Sequence, residues 1–275
     1  VSVEAQKKKA GPPARASRKL LPGLSVRDGY TRHPFDVAHE VRTSGLIAGR
    51  DLKSGHRHDR HNTAYYGVAP SVFRALVSRW QKSKPAAPIT DFTFIDVGAG
   101  MGRALLLAAE SPFREVVGIE LHPTLARIAQ KNLMHWRVSG RARAPMRIVC
   151  GDAVEFTPPD GPCLAFLFNP FGAAVMRRLL DAWSENFALR AGQLDLLYVN
   201  NEQEAVLETR KGFVRLFHGE VMRSKADAIA DYRILANQPD GEYASANHED
   251  CSMWRWMGKA ASKSQAGDRP CTNRI

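Results

Sequence analysis

The chain has 275 residues, 44% of them hydrophobic, and a formal net charge of +11, which suits a packed globular protein of one large domain or one and a half small ones. No run approaches the ~18 consecutive apolar residues of a membrane helix, and the basic N-terminal run has no apolar core behind it, so neither a span nor a secretory signal is expected and the reading is cytoplasmic. Cys150, Cys163, Cys251 and Cys271 show no CxxC pair and no metal-ligand spacing, which predicts free thiols and no disulfide framework.

The positive charge is unevenly placed. Residues 1–33 hold eight Lys/Arg against two acids and residues 258–275 hold four against one, leaving the interior near neutral. Both ends are rich in Ala, Ser, Gly and Lys/Arg, a composition that cannot recover its ordering entropy, and are expected to be disordered basic tails. Nonspecific phosphate binding by these tails is the alternative role. Between them, residues 34–90 form a leader or lid ending in a helix, and residues 91–257 form the main domain.

Along the leader, GHRHDRH at 55–61 has the composition of a metal cluster. Without a Cys partner or HExxH spacing it reads as a solvated or lid segment, so no metal is assigned. Val72, Phe73, Leu76, Val77 and Trp80 lie at helical spacing over 71–82, and PAAP at 85–88 ends that helix. Phe92–Val97 then reads as a buried strand, followed by an apolar helix in GRALLLAAE that stops at Ser111-Pro112. Glu115–Glu120 is a second strand, and residues 123–136 form an amphipathic helix with Pro123 at its tolerant start.

Met146–Cys150, Cys163–Phe168 and Leu194–Val199 read as further strands, with a helix over Val175–Phe187. Phe213–Val221 and Asp231–Ala236 are expected to pair as an antiparallel edge hairpin, and Trp254 and Trp256 to close the core edge. Strands buried on both faces and separated by helices imply an α/β fold: a Rossmann-like, doubly wound, mostly parallel seven-stranded sheet with an antiparallel edge hairpin. Ligands of such sheets lie at the carboxyl ends of the strands.

That is where the polar residues fall. Asp96 is followed by Gly98, Gly100 and Gly102, a GxGxG loop rather than the GxGxxG of dinucleotide sites, and glycines there let the backbone turn sharply and approach a ligand closely. A purely structural tight turn is the alternative. Glu120 closes the second strand, where a carboxylate can accept hydrogen bonds from both ribose hydroxyls. Asp152, after the third strand, sits where a carboxylate can accept from the exocyclic amine of adenine. Each acid has a plainer reading as a helix cap, but their joint placement in strand order favours an adenosine-bearing ligand.

The fourth strand ends in Asn169-Pro170-Phe171-Gly172. With DxGxGxG, the acid ending strand two and the acid after strand three, this resembles the class I S-adenosylmethionine-dependent methyltransferases over residues 90–236. The segments 41–52 and 61–76 resemble the leaders of a largely uncharacterised bacterial group within them. The resemblance implies S-adenosyl-L-methionine as cofactor. Asp96, Gly98, Gly100 and Gly102 would shape the pocket around its methionine and ribose portion, Glu120 would hold the ribose, and Asp152 and Ala153 would face the adenine. Asn169, Pro170 and Phe171 would line the transfer site, with Tyr66 of the leader covering the methionine end or anchoring the leader to the core. Arg103 would meet the cofactor carboxylate or pair with Asp96. Amine-methylating relatives carry (Asn/Asp/Ser)-Pro-Pro-(Tyr/Phe); this chain lacks the second proline.

The implied reaction is in-line methyl transfer, to a nitrogen of a protein side chain or a small molecule, with residues 35–85 deciding between them. The near-neutral interior disfavours a large nucleic-acid footprint. The rival classes are an NAD-dependent oxidoreductase, which would favour GxGxxG, and a nucleic-acid-binding module using the tails.

Overall fold

A computed structural model describes residues 32–235 and 246–258, together with a short antiparallel hairpin of Arg18–Leu21 and Leu24–Val26. The remainder of the two basic tails, Cys271 and Ala236 lie outside the described residues. Cys150, Cys163 and Cys251 are free thiols. No helix among the described residues is long and apolar enough to cross a membrane.

Seven strands form one sheet: β1 (Thr93–Val97), β2 (Glu115–Glu120), β3 (Met146–Cys150), β4 (Cys163–Phe168), β5 (Leu194–Val199), β6 (Phe213–Met222) and β7 (His248–Trp256). Their spatial order is β6-β7-β5-β4-β1-β2-β3. The first five strands are mutually parallel, and β7 runs antiparallel to both β5 and β6. The central strands are apolar runs because both faces are covered. Leu76, Trp80, Phe94 and Phe166 belong to one core layer, and Ile95, Val175, Leu179 and Trp183 to the other.

Helices α1 (Pro34–His39), α2 (Pro70–Lys82) and α4 (Pro123–Val138) each begin with proline at the first turn, where the missing N–H costs nothing. Between them, α3 (Arg103–Ala108) is buried on every side, as its apolar sequence requires. Helix α5 (Ala173–Asn186) covers the opposite face, followed by the short α6 (Glu204–Glu208). Two acids are buried inside central strands, Asp96 of β1 and Asp195 of β5; Asp195 accepts from Trp80 Nε1 at 2.8 Å and Arg255 Nε at 2.7 Å, so its charge is matched rather than stranded.

The expected edge hairpin is corrected in one arm. Residues 231–235 are not a strand but the end of helix α7 (Lys225–Leu235). Its buried residues, Asp227, Ala230, Asp231, Ile234 and Leu235, recur every three to four positions, a helical stripe that a six-residue window cuts too short to show. The strand that pairs with β6 is β7, with Phe213 opposite Trp256 and Met222 opposite His248. Trp254 and Trp256 do close the core edge, as members of that strand.

The order of strands reverses at β1, which has β2 on one side and β4 on the other. The crevice outside their carboxyl ends is where this architecture receives ligands.

Candidate functional site

The loop after β1 is held to the neighbouring strand: the amides of Gly98 and Ala99 both donate to the Ile119 carbonyl at 2.9 Å. Gly98 and Gly100 have φ of +76° and +55°, and each is approached too closely for a side chain. A Cβ on Gly98 would lie 2.7 Å from Pro170 Cβ, and one on Gly100 would lie 2.1 Å from the Tyr65 ring. Glycine is therefore required on two counts, conformation and space.

Glu120 binds the loop as well as facing the cleft. Its Oε2 accepts from Gly100 N at 2.6 Å and its Oε1 from His122 N at 2.8 Å. Burial pushes its pKa up, while backbone N–H donors, from His122, Gly100 and Leu121, pull the other way. Asp96 behind the loop is pushed well above the ordinary carboxylate value by burial and then by the charge of Glu120.

Gly98, Gly100, Glu120, Asp152, Ala153, Pro170, Phe171 and Tyr66 all line one cleft at the strand ends. Asn169 lines an adjoining cavity, while Asp96 and Gly102 line neither and lie behind the walls. The cleft's free space is about 90 Å³, well below the roughly 300–1,000 Å³ of ligand pockets. The adjoining cavity is about 550 Å³. Asn62, Thr63, Ala64, Tyr66 and Phe168 line both, so the leader segment 62–66, with Phe168 of β4, is the partition between them.

The leader is fastened to the Asn-Pro-Phe turn. Thr63 Oγ1 donates to the Asn169 carbonyl, Gly172 N donates to the His61 carbonyl at 3.0 Å, and Asn62 forms an antiparallel bridge with Phe171. Asn169 has φ of +39°, a left-handed conformation that asparagine tolerates better than most residues. The Tyr198 hydroxyl lies 3.5 Å from Asn169 Oδ1 and accepts from Gln203 N at 3.1 Å. Tyr65, rather than Tyr66, is the leader tyrosine packed on Gly100, and its hydroxyl donates to the Thr43 carbonyl. Tyr66 donates its hydroxyl to Asp231, and burial followed by the Asp231 charge drives its pKa upward.

Two sequence readings change. Arg103 does not reach Asp96: its guanidinium is buried in the leader, donating to Thr43 Oγ1 at 2.7 Å, Gly67 O at 3.0 Å and Ser44 Oγ at 3.1 Å, with Asp36 at 3.6 Å. The histidine run is not solvated throughout. Asp59 gathers it by accepting from the Ser54, Gly55 and His56 amides, and His58 is buried with Nδ1 2.9 Å from Asp152 Oδ2. That contact is out of line for a hydrogen bond, so Asp152 Oδ2 has no aligned donor, while Asp152 Oδ1 accepts from Val154 N at 3.0 Å. Tyr65 and the histidines of 55–61 stand out in the sequence as side chains able to assist at the transfer site, but their contacts with Gly100 and Asp152 do not, and Thr63 carries no sequence signal at all.

No family model and no curated protein matches the chain. Among solved structures, a candidate RNA methyltransferase from Pyrococcus horikoshii aligns at 13% identity and TM-score 0.43, covering 68% of this chain and 84% of its own. Magnesium protoporphyrin IX methyltransferase from Synechocystis, with bound S-adenosylmethionine, aligns at 13% and 0.43, covering 68% and 76%. The cyclase SpnF aligns at 16% and 0.46, covering 68% and 81%.

Proposed function

We propose that this chain is an S-adenosylmethionine-dependent methyltransferase acting on a nitrogen of a protein side chain or a small molecule. The observation that carries the reading is that one cleft gathers the glycine loop of β1, Glu120 of β2, Asp152 and Ala153 after β3, and Pro170-Phe171 after β4. The adenosyl group suits these residues. Asp152 Oδ2 is buried without an aligned donor, as an acceptor awaiting an exocyclic amine would be, and the glycines leave room that a Cβ would fill. Gly98, Gly100, Glu120, Asp152 and Ala153 would hold the cofactor, with Asp96 and Gly102 shaping the loop from behind. The small free space implies that residues 62–66 give way when it binds.

When bound, the cofactor supplies a methyl group on a sulfonium sulfur that is already a good leaving group. The protein's part is to align the acceptor and exclude water, for which effective molarities reach ~7–11 kcal/mol. Asn169 offers its side-chain oxygen and, once Thr63 releases it, its carbonyl as two acceptors that orient an amine. Neither removes a proton. An ammonium group near its usual ~10.4 must arrive neutral, which burial in the cavity favours.

The cavity beside Asn169 is lined by Arg50 and Arg223 and by the acids Glu202, Glu249 and Asp250, and the excess of acids favours a basic acceptor over a phosphate-bearing one: Arg223 is neutralised by Asp231, at 3.2 Å, and by Glu249. Calorimetry tests the assignment: S-adenosylmethionine and its demethylated product should bind and NAD should not. Tight NAD binding without an adenosylmethionine signal would reverse it.

A further inference from the structure

The histidine segment is left without a role by the chemistry above, yet its central ring is one of the most specifically placed groups in the site. His58 is 5% exposed and lines the cleft beside Asp152. On its other side, Arg178 NH1 of α5 lies 3.1 Å from His58 Nε2. A guanidinium has only donors, so Nε2 must present its lone pair and the ring proton must sit on Nδ1. Nδ1–H is the atom 2.9 Å from Asp152 Oδ2. Burial, the largest influence, also holds the ring's pKa below its usual value and keeps it neutral.

His56 Nε2 is 3.9 Å from the same oxygen, which gives the trio the composition of a cation site. The tautomer argues against it, because a metal on Nδ1 would need the lone pair that Arg178 fixes on Nε2.

We propose that Arg178 and His58 are positioning residues for Asp152: Arg178 fixes the ring proton on Nδ1, whose close but unaligned N–H dipole favours the carboxylate where it stands and leaves Oδ2 to read the exocyclic amine of the cofactor's adenine, making the leader part of the base-specificity apparatus. The proposal rests on the adenosyl reading given above. The incoming amine would provide the aligned donor that Oδ2 lacks, and with Nδ1–H turned toward Asp152 the histidine offers nothing to a base carrying a carbonyl at position 6. His58 thus sets selectivity through another residue rather than by touching the base.

The test compares affinities for S-adenosylhomocysteine and S-inosylhomocysteine, which differ at position 6 of the base, an amine against a carbonyl. The wild-type chain should prefer the adenine compound by about tenfold or more, the scale of a hydrogen bond to a charged group. His58→Ala should collapse that ratio while changing affinity for the inosine compound little. His58→Asn, whose amide places a donor near the position of Nδ1, should restore much of it. Arg178→Leu changes an exposed residue, does not endanger the core, and should move the ratio in the same direction. An unchanged ratio in both His58→Ala and Arg178→Leu, or equal weakening of both ligands, would overturn the proposal. If the wild-type chain binds neither nucleoside, the adenosyl reading itself falls; if it binds the adenine compound and only the ratio fails to respond, the positioning role alone falls.

Discussion

Glu120 bears the heaviest demand in the proposed site, since it closes the glycine loop and is expected to receive the ribose. Replacing it with Gln keeps the shape and one acceptor oxygen but puts an NH₂ opposite one of the amides of Gly100 and His122, now 2.6 and 2.8 Å from its two oxygens. Hydrogen bonds to a charged group contribute ~1.5–3 kcal/mol, so loss of the charge facing the ribose should weaken cofactor binding by roughly 10- to 150-fold. The assay is titration calorimetry with S-adenosylhomocysteine, alongside thermal unfolding to establish that Glu120→Gln folds. Because burial raises the carboxyl's pKa and the ribose needs the ionised form, affinity should also fall with decreasing pH, beginning above the ordinary carboxylate value, and Glu120→Gln should be insensitive over that range. A folded variant with wild-type affinity would show that this carboxylate serves the loop alone.

Other outcomes follow from the same geometry. Asp96 has a folded pKa raised well above its unfolded value, so its contribution to stability is complete below about 3.8 and is lost as pH rises toward the raised value. The melting temperature of Asp96→Asn relative to wild type, without cofactor, should therefore climb across that interval; a constant difference would refute the raised pKa. Asn169→Ala should leave S-adenosylhomocysteine affinity intact while lowering transfer of labelled methyl groups into cell-extract acceptors by about tenfold, one oriented hydrogen bond's effect. If cofactor affinity is lost instead, Asn169 belongs to the cofactor side. Thr63→Val removes the hydroxyl that donates to the Asn169 carbonyl. Hydrogen exchange across residues 60–66 should accelerate about fivefold, corresponding to ~1 kcal/mol, and unaltered exchange would show that the leader is fastened elsewhere.

Four of the five parallel strands were legible because strands covered on both faces must be largely apolar, and Glu115–Glu120 was bounded correctly by its terminal acids, whereas the edge strand β3 is half-exposed and carries Arg147. β7 was harder to see. His248–Trp256 is half polar and opens with His-Glu-Asp, and it reads as a strand only once β5 and β6 are known to flank it. The alternative pairing of Arg103 with Asp96 failed for a related reason. The arginine's partners Asp36, Thr43 and Ser44 lie about sixty residues upstream, in a leader whose path no local periodicity reveals. The nearness of His58 to Asp152 is likewise a product of tertiary packing, whereas the positions of Gly98, Glu120 and Asp152 follow from strand ends alone.

The bond from Thr63 to the Asn169 carbonyl carries one more consequence. Under the proposed function, an acceptor amine that uses this carbonyl would share it with the threonine through the second lone pair or displace it, so the hold of the leader on the Asn-Pro-Phe turn and the hold of the site on its acceptor would draw on one oxygen.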